Sequence, residues 1–535
     1  MQIKVLILVT CIMVNILNAK DKLEIDPFTP FVSSNDYVKH PYGLDENGIL
    51  YYDYGKRYNL GKYNNPTFIA AYANALYRDY INSDDKLIKN IFFKQVDFLI
   101  ENAEKDKEGG FSWIYPFENE HYNVPAGWYS GMTSGRILGV LVRAHYLSDD
   151  DKYLKIAKKV FEKFSKPLEQ GGMITYIDNN TAWIEEVAHK DIPSYKVLNG
   201  HIFGLAGLIS YAKYTKDEKA LELMQKAINA VKYNLDSFDA GFISYYSESM
   251  PNRNRPFAEK GGYNYIQIWQ MLYLYKITQD EAFLKKAMKF QEYENYNPLI
   301  STTFSTNEKT HGPDKMNLTF GNNYWSSYKF PVSITLDLGE EYLISGLTIL
   351  GHSLKSTPKN FIIYSSLDGE KWQGLAKELD NNEQYSKINF TYNVNARYIK
   401  IEVFSDNGNK AVALDGIAVH KVNNLSPIIN FNNYRSSFKK LFDKDLNSSI
   451  MIYNDLELIV PMNKNRVTII GDFSQECIDN VRLFESNNLK EWKNVTKNVN
   501  LNKKEITIIN SNYHYKKIVS NGCEESKISE VVYAN

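Results

Sequence analysis

Residues 181–204 read TAWIEEVAHKDIPSYKVLNGHIFG, and the parsing of this stretch decides the fold of the first half of the chain. An aromatic residue, two adjacent carboxylates and a histidine (Trp183, Glu185, Glu186, His189) lead through Pro193 into a helix that opens on Asn199, Gly200 and His201. The first turn of a helix offers unpaired N–H groups, so ionisable side chains gathered before it suit an anionic ligand as well as a plain cap. Outward from this stretch the pattern repeats. From about Pro66 to Asn297 the apolar periodicity is helical and recurs about every 65 residues. Each unit is an apolar helix followed by an acidic corner that opens a second helix. The corners are Ser83-Asp84-Asp85, Ser148-Asp149-Asp150, Lys216-Asp217-Glu218 and Gln279-Asp280-Glu281. Acid in a first turn favours the helix macrodipole, so these corners read as structural. After the second helix of the first three units comes a glycine-led aromatic strand, at 109–113, 171–176 and 240–245.

Four helical hairpins with short strands at one end predict an all-α (α/α) barrel or toroid, each hairpin burying one apolar face against its neighbours. The inner helices are the less charged ones, Pro66–Tyr80, Gly127–Leu147, Val197–Tyr214 and Gly262–Ile277. Their N-terminal ends and the glycine-led strands are expected to converge on one face and form the cleft there. From about Asn317 the pattern alternates instead, as in Ser333–Gly339, Gly346–Gly351, Asn360–Tyr364 and Arg397–Val403, which predicts a β-sandwich. The segment from about Ser426 repeats this one at a shift of about 120 positions: Val467–Gly471 matches Leu347–Gly351, and Trp492 matches Trp372. The expected domains are thus 20–298, 299–423 and 424–535, with a linker near Asn297–Asp314.

Composition narrows the function. A formal net charge of -1 lacks the basic face of a nucleic-acid binder. The 40 tyrosines fit either sugar stacking or the compositional bias that also enriches Lys, Asn and Ile. Lys4 precedes an apolar run from Val5 to Leu17, with Ala19 as the expected last residue of a signal peptide spanning 1–19. That run is shorter than the ~20 residues of a membrane span. The expectation is a secreted or lumenal protein with no transmembrane span in the mature chain, an uncleaved signal anchor being the lesser option. Of three cysteines, Cys477 and Cys523 remain after the signal, and in an exported protein they are expected to pair.

The helical part resembles the C-terminal catalytic domain of the D-glucuronyl C5-epimerases, which act on heparan-type polysaccharides. The likeness is carried by Glu108–Phe111, by Pro125-Ala126-Gly127-Trp128-Tyr129-Ser130-Gly131-Met132 with Leu141–Ala144, by Trp183–Glu186 with Val197–Gly200, and by Lys260–Gln267. Inverting C5 of a uronic acid removes a proton beside a carboxylate and returns one from the opposite face. That chemistry needs an acid and a base on two sides of the ring and a group that steadies the carboxylate. The resemblance implies tyrosines in the acid and base roles, at Tyr263 and Tyr245, with Lys260 facing the uronate carboxylate. Glu185 and Glu186 join them as catalytic candidates. Trp128, Tyr129, Trp183, Asn199, Asn264 and Tyr195 are substrate-binding candidates, the aromatics because their rings suit sugar faces. The chain departs from the family at Val187, where the motif has a tyrosine, and at Asn264 and Gln267, where it has histidines. Tyr195 and His189 are the candidates to replace the missing tyrosine. Arg143 reads as a core-edge ion-pair residue and His201 as a satisfied core histidine.

The first sandwich resembles the discoidin, or coagulation-factor type C, domain through Tyr324-Trp325, Ile334–Gly339, Ile349–Gly351, Tyr364–Gly369 with Trp372, and Ala396–Lys400. Such domains on exported carbohydrate enzymes bind glycans through loops at one end, which makes Trp325 and His352 the loop candidates; the analogy also allows a structural Ca2+. The function expected from all this is an exported uronyl C5-epimerase acting on an acidic polysaccharide, without a redox cofactor and with no metal ligands assigned. A homodimer is left open. The rivals are a polysaccharide lyase, which shares the C5 abstraction, and a non-catalytic carbohydrate-binding protein.

Overall fold

Every helical hairpin turns on the same three-residue device. In the computed structural model a short helix α1 (Ser34–Tyr37) precedes four hairpins: α2 (Pro66–Ser83) with α3 (Lys86–Glu101), α4 (Gly131–Ser148) with α5 (Lys152–Phe164), α6 (Leu198–Thr215) with α7 (Glu218–Tyr233), and α8 (Tyr263–Thr278) with α9 (Glu281–Asn295). The first helix of each pair stops at a left-handed residue, Asp84, Asp149, Lys216 or Gln279, with φ between 55° and 58°. The N–H of each returns to the carbonyl four residues earlier, at 2.7–2.9 Å. A serine or threonine just before it (Ser83, Ser148, Thr215, Thr278) donates to the preceding turn and accepts the N–H of the aspartate two positions on. That aspartate (Asp85, Asp150, Asp217, Asp280) then caps the first turn of the second helix. The acidic corners are therefore structural, and their working unit is Ser/Thr-x-Asp.

The structure describes residues 23–30, 32–250, 253–254, 257–259, 262–295, 301–306, 324–422, 425–426, 428–429, 446–447, 449–452, 455–462, 466–496, 499–509, 513–523 and 526–534. The signal segment, Lys260 and most of the linker expected near Asn297–Asp314 lie outside them. Among the described residues no helix is long and apolar enough to cross a membrane. The chain divides into two units, 1–231 and 232–535.

The first unit is helical with short strands. A small antiparallel sheet (Tyr42–Leu44, Leu50–Asp53, Lys62–Tyr63) precedes α2. Two of the glycine-led segments form two-residue and three-residue strands, Phe111–Ser112 paired with Glu104–Lys105 and Ile174–Tyr176 paired with Ala182–Ile184. Helix α4 packs against both α2 and α6. Its approach to α6 is a glycine seam: a Cβ on Gly207 would run into the carbonyl of Gly135, and one on Gly135 into the backbone of Gly204. Backbone contact this close fixes the N-terminal ends of both helices, which carry site residues. Arg143 is buried in α4 with its Nη2 on the Glu24 carbonyl at 2.9 Å and its guanidinium 5.5 Å from the Tyr77 ring centroid. No carboxylate pairs with it among the described residues, so the expected ion pair is corrected to a carbonyl and an aromatic face.

The second unit holds α8 and α9 and the β-rich remainder. Here the third glycine-led segment departs from expectation: residues 240–245 make only isolated bridges, Asp239 to Ser244 and Tyr245 to Phe257. Next comes a seven-stranded sheet built on two long strands, Val332–Gly351 and Tyr385–Asp406. Their pairing slips register between Asp337 and Tyr342 and again between Ile344 and Gly346, and such irregularities let a long strand bend. Alternate residues (Val332, Ile334, Leu336, Ile399, Ile401, Val403) fill the core together with Trp325 and Phe361. After it, two five-stranded sheets use residues 428–534, and Cys477 and Cys523 form a disulfide.

The repeat between the two β regions extends to single residues. Lys400 lies across from Tyr364 and sits 4.7 Å from the ring centroids of both Tyr364 and Trp372. Lys517 lies across from Phe484, 5.5 Å from its ring and 4.6 Å from Trp492. The intervening turns match as well: Ser366 and Asp368 accept the N–H groups that Ser486 and Asn488 accept. The left-handed position is Gly369 in the first and Leu489 in the second, where a buried side chain holds the strained backbone.

Candidate active site

A cleft of about 260 Å³ opens in the first unit beside the N-terminal ends of α2 and α4. Its walls are largely aromatic. Trp128 stacks on Tyr115 with ring centroids 4.0 Å apart, and its indole N–H is held by the Phe117 carbonyl at 2.9 Å. Only 6% of Trp128 is exposed, so it shapes the cleft more than it offers a free ring. At the floor the Tyr115 hydroxyl meets Thr67 at 2.6 Å and Thr133 at 2.8 Å, and Thr67 and Thr133 also touch. Burial raises the Tyr115 phenol well above its ordinary value and pushes Tyr54, which also lines the cleft, up to about 12. Neither is a phenolate at neutral pH.

The two adjacent glutamates have separate surroundings. Glu185, at the end of strand Ala182–Ile184, is buried, and its Oε1 accepts from Thr175 at 2.7 Å and from Ser194. Burial pushes its carboxyl up to about 7, against the pull of those hydrogen bonds. Glu186 instead lines the cleft. Its Oε1 accepts from the Tyr122 hydroxyl at 3.1 Å and its Oε2 from the Asn199 amide at 3.5 Å. It lies so close to the start of α6 that a Cβ on Gly200 would collide with it, and a helix N-terminus suits its charge. Val187 lines the cleft too, and so does Tyr122, which is as buried as Trp128 at 5% exposure. Four further tyrosines line it (Tyr52, Tyr54, Tyr58 and Tyr115), and Tyr122 donates to Glu186; Tyr195 and His189, the expected replacements for the motif's tyrosine, are not part of the lining. The Tyr195 hydroxyl is turned away, donating to the Tyr122 carbonyl at 2.9 Å, and His189 lies 3.7 Å from Asp191.

Residues 105–292 match the family model of the D-glucuronyl C5-epimerase C-terminus. Residues 301–415 match the F5/8 type C domain. Over 197 residues, 36% of this chain and 61% of the relative, the sequence is 31% identical to an uncharacterized protein of Methanocaldococcus jannaschii. Over 219 residues, 38% of this chain and 34% of the relative, it is 26% identical to a D-glucuronyl C5-epimerase of Caenorhabditis elegans. The chain thus spans less than two thirds of either relative. Among solved structures, a pectin-binding carbohydrate-binding module aligns with 23% of this chain and 91% of its own at 26% identity, with a TM-score of 0.21.

Within the epimerase-like segment, several residues expected in the site prove to be packing. Trp183 is fully buried and stacks on His201 at 4.2 Å, so it cannot reach a substrate. His201 accepts the Ile184 N–H at Nδ1 and meets the Ala227 carbonyl with Nε2; burial pulls it down to about 3, and it stays neutral. Tyr129 is turned toward the Lys163 ammonium, 4.7 Å from its ring centroid, and does not line the cleft. In the second unit Tyr245 is 7% exposed and stacks on Phe257, whereas its neighbour Tyr246 sits edge-on to Tyr263 at 4.7 Å. Tyr263 itself is 40% exposed at the start of α8. Asn264 is buried, accepting from Ser244 and donating to the Phe290 carbonyl and Glu294, so it is a structural bridge and not a substrate ligand. Gln267 is buried as well, with its amide on the Tyr245 carbonyl.

In the region that matches the F5/8 type C domain, Trp325 is a core residue, 0% exposed and stacked on Phe304. The loop role expected for it is corrected. His352 stacks on Tyr324 at 3.8 Å, its Nδ1 lies 2.9 Å from Asp415, and a third of its side chain is exposed. Tyr122 has no mark in the sequence, because a lone loop tyrosine among forty carries no periodic signal. Its position follows from tertiary pairings, Asn119 with Val124 and Tyr129 with Ala188.

Proposed function

We propose that this chain is a uronyl C5-epimerase acting on an acidic polysaccharide. The observation that supports it best is the phenol–carboxylate pair Tyr122–Glu186: both residues belong to the segment that matches the epimerase family, and both line an aromatic cleft. A C5 proton beside a carboxylate is weakly acidic, and a phenol close in acidity to that carbon acid can exchange protons with it more readily than a carboxylic acid can. In this reading Tyr122 is an acid/base group at C5, and Glu186, as its hydrogen-bond acceptor, takes up or returns the phenolic proton. Tyr263, an exposed phenol on the second unit, keeps the acid/base role implied by the family motif as a separate candidate. Closure of the helical hairpins into a ring belongs to the same proposal, as does export directed by residues 1–19. The F5/8 type C domain would hold the polymer through the Tyr324–His352–Asp415 end.

One observation favours a second reading. Val187 lines the cleft where the family motif carries tyrosine, and a cleft that lacked its acid/base group would bind a glycan without turning it over. Incubation with heparosan and other uronate polymers in deuterated water separates the readings. Deuterium at C5 with chain length unchanged supports epimerisation. An unsaturated, ultraviolet-absorbing product would move the assignment to a lyase, and binding without either product would leave the glycan-binding reading. Unchanged exchange in Tyr263→Phe would remove that residue from the chemistry.

A further inference from the structure

The cleft of the first unit carries a cation outside the segment that the epimerase family covers. Among the described residues lining it, Arg57 alone is positively charged. Its Nη2 donates to the Tyr58 hydroxyl at 2.9 Å, and its guanidinium carbon lies 4.8 Å from the centroid of the same ring. The Tyr58 ring in turn stacks on Phe117 at 4.9 Å with planes 25° apart, and its hydroxyl comes within 3.5 Å of Asn119. No carboxylate pairs with Arg57 among the described residues. One of the five guanidinium donors is thus used, and a planar fork of N–H groups remains for a planar anion.

The backbone that presents Arg57 is strained. Tyr58 and Asn59 both sit in the left-handed region, with φ of 57° and 54°. A bulky residue there is unfavourable unless the surroundings hold it in place. What holds Tyr58 is its ring on Phe117, and this stacking carries the arginine on to the cleft wall. Glu186 lines the same cleft, so the site offers a guanidinium for an anion and a carboxylate for a hydroxyl or a proton. A uronic acid residue carries both kinds of partner on one ring.

We infer that Arg57, steadied by Tyr58, binds the carboxylate of a uronic acid residue of an acidic polysaccharide in this cleft. The inference rests on the uronate reading above and names the residue that recognises the acid. Arg57 is exposed, so Arg57→Gln is expected to fold, and a thermal melt checks this.

The test uses the full chain and two probes, a heparosan tetrasaccharide and the same tetrasaccharide with its carboxyl groups reduced to alcohols, titrated calorimetrically at low salt. The wild type is expected to prefer the acid form by about tenfold or more, the scale of one charge-assisted hydrogen-bonded pair. Arg57→Gln should remove most of that preference while leaving affinity for the reduced form unchanged. Arg57→Lys should recover only part of it, because an ammonium lacks the fork. An undiminished preference in Arg57→Gln, or no preference in the wild type, overturns the inference. Deuterium exchange at C5 is scored separately. Carboxylate-dependent binding through Arg57 without exchange keeps the inference and sinks the epimerase reading; exchange with no effect of Arg57 does the reverse.

Discussion

At the scale of single residues, the two adjacent glutamates make opposite demands on the fold. Glu186 meets the cleft, while Glu185 is sealed behind it with its carboxyl raised to about 7 from an ordinary 4.5. A carboxyl whose folded value is raised stabilises the native state while protonated. Its contribution is intact below the unfolded value and is lost as pH rises through the folded one. Thermal unfolding followed from pH 4.5 to 8.5 should therefore show the wild type losing stability across that window, by roughly 3 kcal/mol at most. Glu185→Gln, which can still accept from Thr175 and Ser194, should flatten the profile and be the more stable protein at pH 8. A Gln variant as pH-sensitive as the wild type would place the titration elsewhere. The sequence displayed this pair plainly and offered both as catalytic candidates. Which one met the cleft was not legible, because that depends on Ser194 and Thr175 closing over Glu185 from other segments.

Among the elements, helix starts and stops were readable because Ser/Thr-x-Asp corners and apolar periodicity are local signals. The close approach of α4 and α6 was not, since Gly131, Gly135, Gly204 and Gly207 look like helix weakeners in a linear reading. In the fold they are the contact surface. Gly207→Ala should cost about 2 kcal/mol or more, against the small gain that alanine brings in a free helix, because its methyl has only the Gly135 carbonyl to enter. Chemical denaturation measures this, and a neutral or stabilising result would contradict the seam. The third glycine-led segment failed as a strand for a related reason. Its aromatics are committed to other partners, Tyr245 to Phe257 and Tyr246 to Tyr263. That division puts Tyr246, and not the Tyr245 implied by the resemblance, against Tyr263.

For the whole molecule, the sequence disclosed the change from helical to alternating period and the internal repeat of the β region. It disclosed less about which side chains line the cleft. Trp325 and Trp183 resembled ligand platforms and are core, whereas Tyr122 and Arg57 had no motif to mark them. The β region after residue 425 depends on a cross-link more than its predecessor does: Cys477–Cys523 closes a separation of 46 residues. Replacing both with serine should lower the stability of that part by about 3–4 kcal/mol. It should leave any C5 exchange by the epimerase-like segment intact, so a parallel loss of exchange would show that the two are coupled. The most direct measurement of the central claim is deuterium incorporation at C5 of heparosan by the wild type and by Tyr122→Phe, read by NMR on intact polymer. The expected result is exchange by the wild type that falls at least ~100-fold in Tyr122→Phe, the scale of a lost acid/base group, with the fold unchanged. Equal exchange by both proteins, or none by the wild type on any uronate polymer, would contradict it.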